Sequence, residues 1–157
     1  METAPKKINA QAARLISKIG LDVSSAVWLK LTKVAGFTPE RLHCVLNCMI
    51  QKKNHGGELI FGWILWQNNT TRFCEAEFHC VWKDNTGRLR DITPRVDGEK
   101  RICFIPDPHR DARLDTMVQP PIVHSFINVR MTGNDLLNEV QRCRIVLTKT
   151  VLLDHLI

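Results

Sequence analysis

Residues 74–94 leave a chain little choice of conformation. Cys74, Ala76, Phe78, Cys80 and Trp82 are apolar at every second position, and Glu75, Glu77 and His79 fill the positions between. A period of two marks a half-buried strand, because successive side chains point to opposite faces. Asp84, Asn85, Thr86 and Gly87 then read as a turn, with Gly87 suited to the left-handed backbone that closes a three-residue loop. Residues 89–93 return as the second strand of a hairpin. If Lys83 pairs with Gly87, Val81 faces Leu89 and His79 faces Asp91. Directly opposed residues have Cβ atoms about 4.5–5.5 Å apart, which brings an imidazole against a carboxylate. A register slipped by one residue would send them to opposite faces. An imidazole held by a carboxylate is the base and orienting group of a nucleophilic triad.

A nucleophile stands upstream. Residues 38–55 read as a helix, with Thr38 as cap, Pro39 in the first turn and Gly56-Gly57 as the stop. Cys44 lies within it, where the helix dipole favours a thiolate. Cys48, one helical turn later on the same face, is the rival nucleophile. Asn47 is a candidate to orient substrate or an oxyanion, or else a helix residue bonded to a nearby loop.

The order of these residues carries a resemblance. His79, Trp82, Gly87, Asp91 and Thr93, as His-x-x-Trp followed by Gly-x-x-x-Asp-x-Thr, resemble the core strand pair of the transglutaminase-like thiol enzymes. Cys44-x-x-Asn47, then Gly62-Trp63, then the histidine strand, are similar to small bacterial proteins of the same papain-like/transglutaminase-like superfamily. The resemblance spans residues 38–106. It implies an α+β fold with helices packed on an antiparallel sheet. It also implies Cys44 as nucleophile, His79 as base and Asp91 as its orienting partner, acting on an amide through a thioester intermediate. Protease, deamidase and transamidase remain equally open. A cysteine nucleophile needs neither a metal nor an organic cofactor. Asn47, Trp63 and Trp82 are the residues expected to meet substrate or oxyanion, with core packing the other role open to a tryptophan. The chain departs from the family at Cys80, where a small residue is usual after the histidine, and no obvious glutamine precedes Cys44 to complete a papain-like oxyanion site.

A chain of 157 residues suits a single domain with a real core. Residues 1–37 read as an N-terminal helical layer. Ile8, Ala12, Leu15, Ile16 and Ile19 recur at helical spacing before Gly20, and Ser24 or Ser25 caps a second helix bearing Val27, Trp28, Leu31 and Val34. Residues 38–130 hold the cysteine helix and the sheet. Residues 58–67 are nearly continuous in apolar residues and so read as a central strand, in which Gly62 marks close backbone approach or a bulge. Further strands are expected at 101–105 and 122–129, joined by a long polar loop at 106–121 that is either a lid or a connector. Residues 131–157 read as a C-terminal helix, with Leu136, Leu137, Val140, Cys143, Leu147 and Val151 on one side.

The net charge of +6 is spread along the chain and permits an acidic partner without demanding one. The six cysteines form no Cys-x-x-Cys pair, and neither a membrane-spanning run nor a signal-peptide core is present. The expectation is therefore a cytoplasmic protein with free thiols, acting on a protein or peptide-like amide away from any membrane. Two other readings use the same residues. One is a catalytically inactive binding module that offers a basic, tryptophan-bearing surface to a protein or nucleic acid. The other is a zinc site built from Cys44, Cys48, His79 and Cys74 or Cys80.

Overall fold

The computed structural model describes residues 3–95 and 98–157. Helix α1, Ala10–Ile19, starts where the Asn9 side chain accepts from Ala12 N and ends at Gly20, whose φ of 93° lets its N–H turn back to Ile16 and Ser17 carbonyls. A short 3₁₀ turn, Val23–Ser25, leads into strand β1, Val27–Lys30. Helix α2 spans Cys44–His55. Then come β2 (Glu58–Asn68), β3 (Phe73–Lys83), β4 (Leu89–Arg90) and β5 (Arg101–Pro106). Strands β6 (Arg113–Asp115), β7 (Ile122–Phe126), β8 (Val129–Thr132), β9 (Asp135–Leu136) and β10 (Arg142–Val146) follow, before a closing 3₁₀ turn, Leu152–His155.

The fold is α+β. The larger sheet runs β1-β5-β2-β3-β8-β9 with β4 also paired to β3, and a three-stranded sheet runs β10-β7-β6. All strand pairs are antiparallel. β2 and β3 pair along their full length, from Glu58 opposite Lys83 to Asn68 opposite Phe73. Alternation splits their side chains between two cores. Trp63, Leu65, Phe78, Cys80 and Trp82 join Leu15, Ile16 and Ile19 of α1 and Val45, Leu46, Cys48 and Ile50 of α2. The opposite face buries Ile64, Trp66, Val81, Ile102 and Phe104. Burial of each such large side chain contributes roughly 1.5–3 kcal/mol, so the two helices are fixed to the sheet chiefly by this contact.

Several sequence expectations give way here. The N-terminal layer holds one α-helix, because Val27–Lys30 pairs with β5 from Phe104 to Arg101 as an edge strand. The cysteine helix starts at Cys44 and not near Thr38, since the Asn47 side chain occupies both the N–H and the carbonyl of Glu40 and keeps that backbone out of the helical ladder. The loop expected at 106–121 carries a short strand, β6, and the buried Asp107. The C-terminal helix is absent. Residues 131–157 instead provide the end of β8, then β9, β10 and a 3₁₀ turn, and the proposed apolar stripe includes Leu137 and Val151, which are 55% and 67% exposed.

The hairpin forms with its register displaced by two residues. Trp82 pairs with Arg90 and Lys83 with Leu89, and the loop closes through Asp84 N to Arg88 O and Gly87 N to Asp84 O. Asp91 therefore lies diagonal to His79 and not directly opposite it. An even displacement preserves the face, so the two side chains still meet.

Candidate active site

Strand β3 is flanked on its outer edge by β8 along residues 73–76 and by β4 along 82–83, so among the described residues 77–81 have no strand beside them there. A cleft of about 430 Å³ opens at this gap. Its walls are the start of α2 with His43, Cys44 and Val45, the β3 residues Glu77, Phe78 and His79, the segment Thr93, Pro94 and Arg95, and the β7 and β10 residues Val123, Ser125, Phe126 and Ile145.

His79 is 2% exposed and its Nε2 lies 2.9 Å from Asp91 Oδ1. Cys44 lines the same cleft and acts electrostatically on the imidazole. Burial alone pulls the His79 pKa down, but the electrostatic effect of Cys44 and the Asp91 hydrogen bond push it up to about 10. Asp91 sits below the usual carboxylate range. Its burial works against ionisation, and the His79 and Arg95 partners outweigh it. Arg95 Nη2 lies 2.5 Å from Asp91 Oδ2 and 3.3 Å from His79 Nε2, while Thr93 N reaches Asp91 Oδ1 at 3.5 Å.

Cys44 is the first residue of α2. The first bond of the helical ladder is Asn47 N to His43 O, 2.9 Å, and no side chain caps the helix. The N–H groups of Cys44, Val45 and Leu46 precede that bond, at the positive end of the helix dipole and on the cleft wall. The residue before His43, Leu42, has a φ of 67°, a left-handed conformation that turns the chain sharply into the helix.

The other thiols stand apart. Of the six cysteines, Cys44 alone lines the cleft. Burial pushes Cys74 up to about 11 and Cys103 up to about 12, and raises Cys80 well above the ordinary thiol range. Cys48 is fully buried and directs its sulfur to Cys80 O, 3.6 Å away. Among the described residues no three His, Cys, Asp or Glu side chains converge to hold a metal ion, so the zinc set read from the sequence is not assembled.

Asn47, Trp63 and Trp82 do not line the cleft. Asn47 is fully buried. Its Nδ2 donates to Glu40 O (2.9 Å) and Thr93 Oγ1 (3.0 Å), and its Oδ1 accepts from Glu40 N (3.0 Å). It thus ties the helix of Cys44 to the segment that carries Asp91. Trp63 is fully buried with its Nε1 donated to Asp107 Oδ2, and Trp82, 8% exposed, donates to Gly56 O. Both indoles belong to the core, with no polar group free for substrate.

Sequence reasoning missed Arg95, Ser125 and Asn128. Arg95 follows Asp91 by four residues, a spacing with no meaning outside a helix or a known turn. Ser125 reaches the cleft on β7 of the β10-β7-β6 sheet, whose pairing is not local, and Asn128 on the link from β7 to β8. The only available signal was a serine between Val123 and the aromatic Phe126, at a position that alternation assigns to the interior.

No helix among the described residues is long and apolar enough to cross a membrane. No known protein family matches the chain, nor does any curated protein or any solved structure.

Proposed function

We propose that this chain is a thiol-dependent acyl-transfer enzyme of papain-like or transglutaminase-like type, acting on a protein or peptide-like amide through Cys44, His79 and Asp91. The observation that carries the reading is the buried His79, held by Asp91 at Nε2 and lining one cleft together with Cys44. His79 accepts the thiol proton, and Asp91 fixes the tautomer and stabilises the imidazolium. The thiolate attacks the amide carbon, the C–S bond forms, and the carbonyl electron pair moves to oxygen. When the tetrahedral species collapses, the C–N bond breaks and the amine leaves with the proton from His79. Water, deprotonated by His79, then adds to the thioester carbon; the C–S bond breaks, the acid leaves and the sulfur recovers its proton from His79, while an amine in place of water gives transamidation. The free thiol this requires suits the reducing cytoplasm.

Limiting iodoacetamide near pH 6 tests the reading, followed by mapping of the labelled peptide. Cys44 should label first, because of the six cysteines it alone lines the cleft beside His79. Cys44→Ala should remove that label and Cys48→Ala should leave it. His79→Ala should slow it by about tenfold or more, and Asp91→Asn should slow it less. If none of these variants changes the labelling pattern, the thiol-enzyme reading fails and a binding module is the better account.

A further inference from the structure

We propose that the Ser125 hydroxyl is the side-chain donor to the oxyanion formed at Cys44. The proposal rests on the acyl-transfer reading above. Ser125 is 6% exposed, yet its hydroxyl makes no hydrogen bond to any described residue. Its hydroxyl is not sealed inside the core either, because Ser125 lines the cleft together with Cys44 and His79. Along β7 the inward register positions are Val123 and Ser125, of which Val123 is an ordinary core residue. A serine at the second inward position gives up apolar burial and gains no protein partner. What it offers is a rigid donor on the wall across the gap in β3, positioned by pairing with Cys143 of β10.

The other donors are the early α2 N–H groups, which are free of intrahelical partners by position. As the Cys44 thiolate adds to the acyl carbon, the C–S bond forms and the π pair settles on oxygen. That oxygen accepts from Ser125 Oγ–H and from the helix start. Collapse returns the pair to carbon and expels the leaving group, with no net change at Ser125. A donor of this kind acts only where an oxyanion develops.

Two reagents separate this role from a structural one. Iodoacetamide alkylates the thiolate by displacement and forms no oxyanion, whereas p-nitrophenyl acetate acylates it through one. Ser125→Ala should leave the rate of Cys44 alkylation within about twofold of wild type and slow its acylation by about a hundredfold. Ser125→Thr, which keeps the hydroxyl, should recover most of the acylation rate. If Ser125→Ala leaves acylation unchanged, or slows both reactions equally, Ser125 is not the donor, and the Cys44–His79–Asp91 reading is untouched. If wild-type Cys44 reacts preferentially with neither reagent, both readings fall together.

Discussion

His79 holds its proton against the pull of burial because the Cys44 charge and the Asp91 hydrogen bond both favour the cation. A pKa raised from 6.5 in the unfolded chain to about 10 in the fold means that the folded state binds the proton more tightly. The stability this contributes is present in full below pH 6.5 and is lost as pH rises through about 10. The stability gap between wild type and His79→Gln, read from urea midpoints, should therefore be widest near pH 6 and close by about pH 10. A gap constant across that range would mean a neutral imidazole in the fold. Asp91 works in the opposite sense. Its pKa is lowered, so its contribution is present above the ordinary carboxylate range and fades on acidification.

At the scale of elements, two residues set how α2 meets the sheet. Asn47 joins Glu40 to Thr93 by three hydrogen bonds, entirely out of water. Asn47→Ala leaves these partners unsatisfied and should cost about 1–3 kcal/mol, and it should slow Cys44 alkylation by displacing the helix start, whereas Cys44→Ala should barely alter stability. Gly62, opposite His79 on β2, has no room for a side chain. A Cβ there would overlap the Ile105 carbonyl and approach Phe104 Cζ at 2.7 Å and Pro106 Cα at 2.9 Å. Gly62→Ala should destabilise by about 1–3 kcal/mol, as a thermal-denaturation series would register, because backbone must shift to accept it. Both elements were legible in the sequence for local reasons. Period-two alternation gave β3, a continuous apolar run gave β2, and parity alone brought His79 and Asp91 to one face despite the displaced register. The start of α2 was not legible, because the residue that delays it acts through a side chain bonded seven positions away.

Across the whole molecule the illegible parts share one cause. Val27, Leu31 and Val34, and Val140, Cys143 and Leu147, are apolar residues three or four apart, which fits a helix on paper, but Val27–Lys30 and Arg142–Val146 are strands completed by distant partners, β5 in one case and β7 in the other. Periodicity reports only local order, while strand pairing of this kind is decided by surfaces that meet after the chain has closed long loops. The consequence for function is that the cleft has two walls of different origin. One is β3 with α2, legible in sequence. The other is the β10-β7-β6 sheet, which brings Ser125, Phe126 and Ile145 to the same cleft as Cys44. Phe126 seals the junction, its ring 4.9 Å from that of Phe78 and 6.3 Å from that of Trp63. If the cleft does join the two sheets, a bulky group on Cys44 should be felt on both. Alkylation of Cys44 with a benzyl-bearing iodoacetamide should slow amide hydrogen exchange at residues 77–79 and also at residues 123–126, far along the chain, relative to Cys44→Ala treated alike. Slowing confined to residues 77–79 would mean that the β7 wall does not border the space beside the thiol.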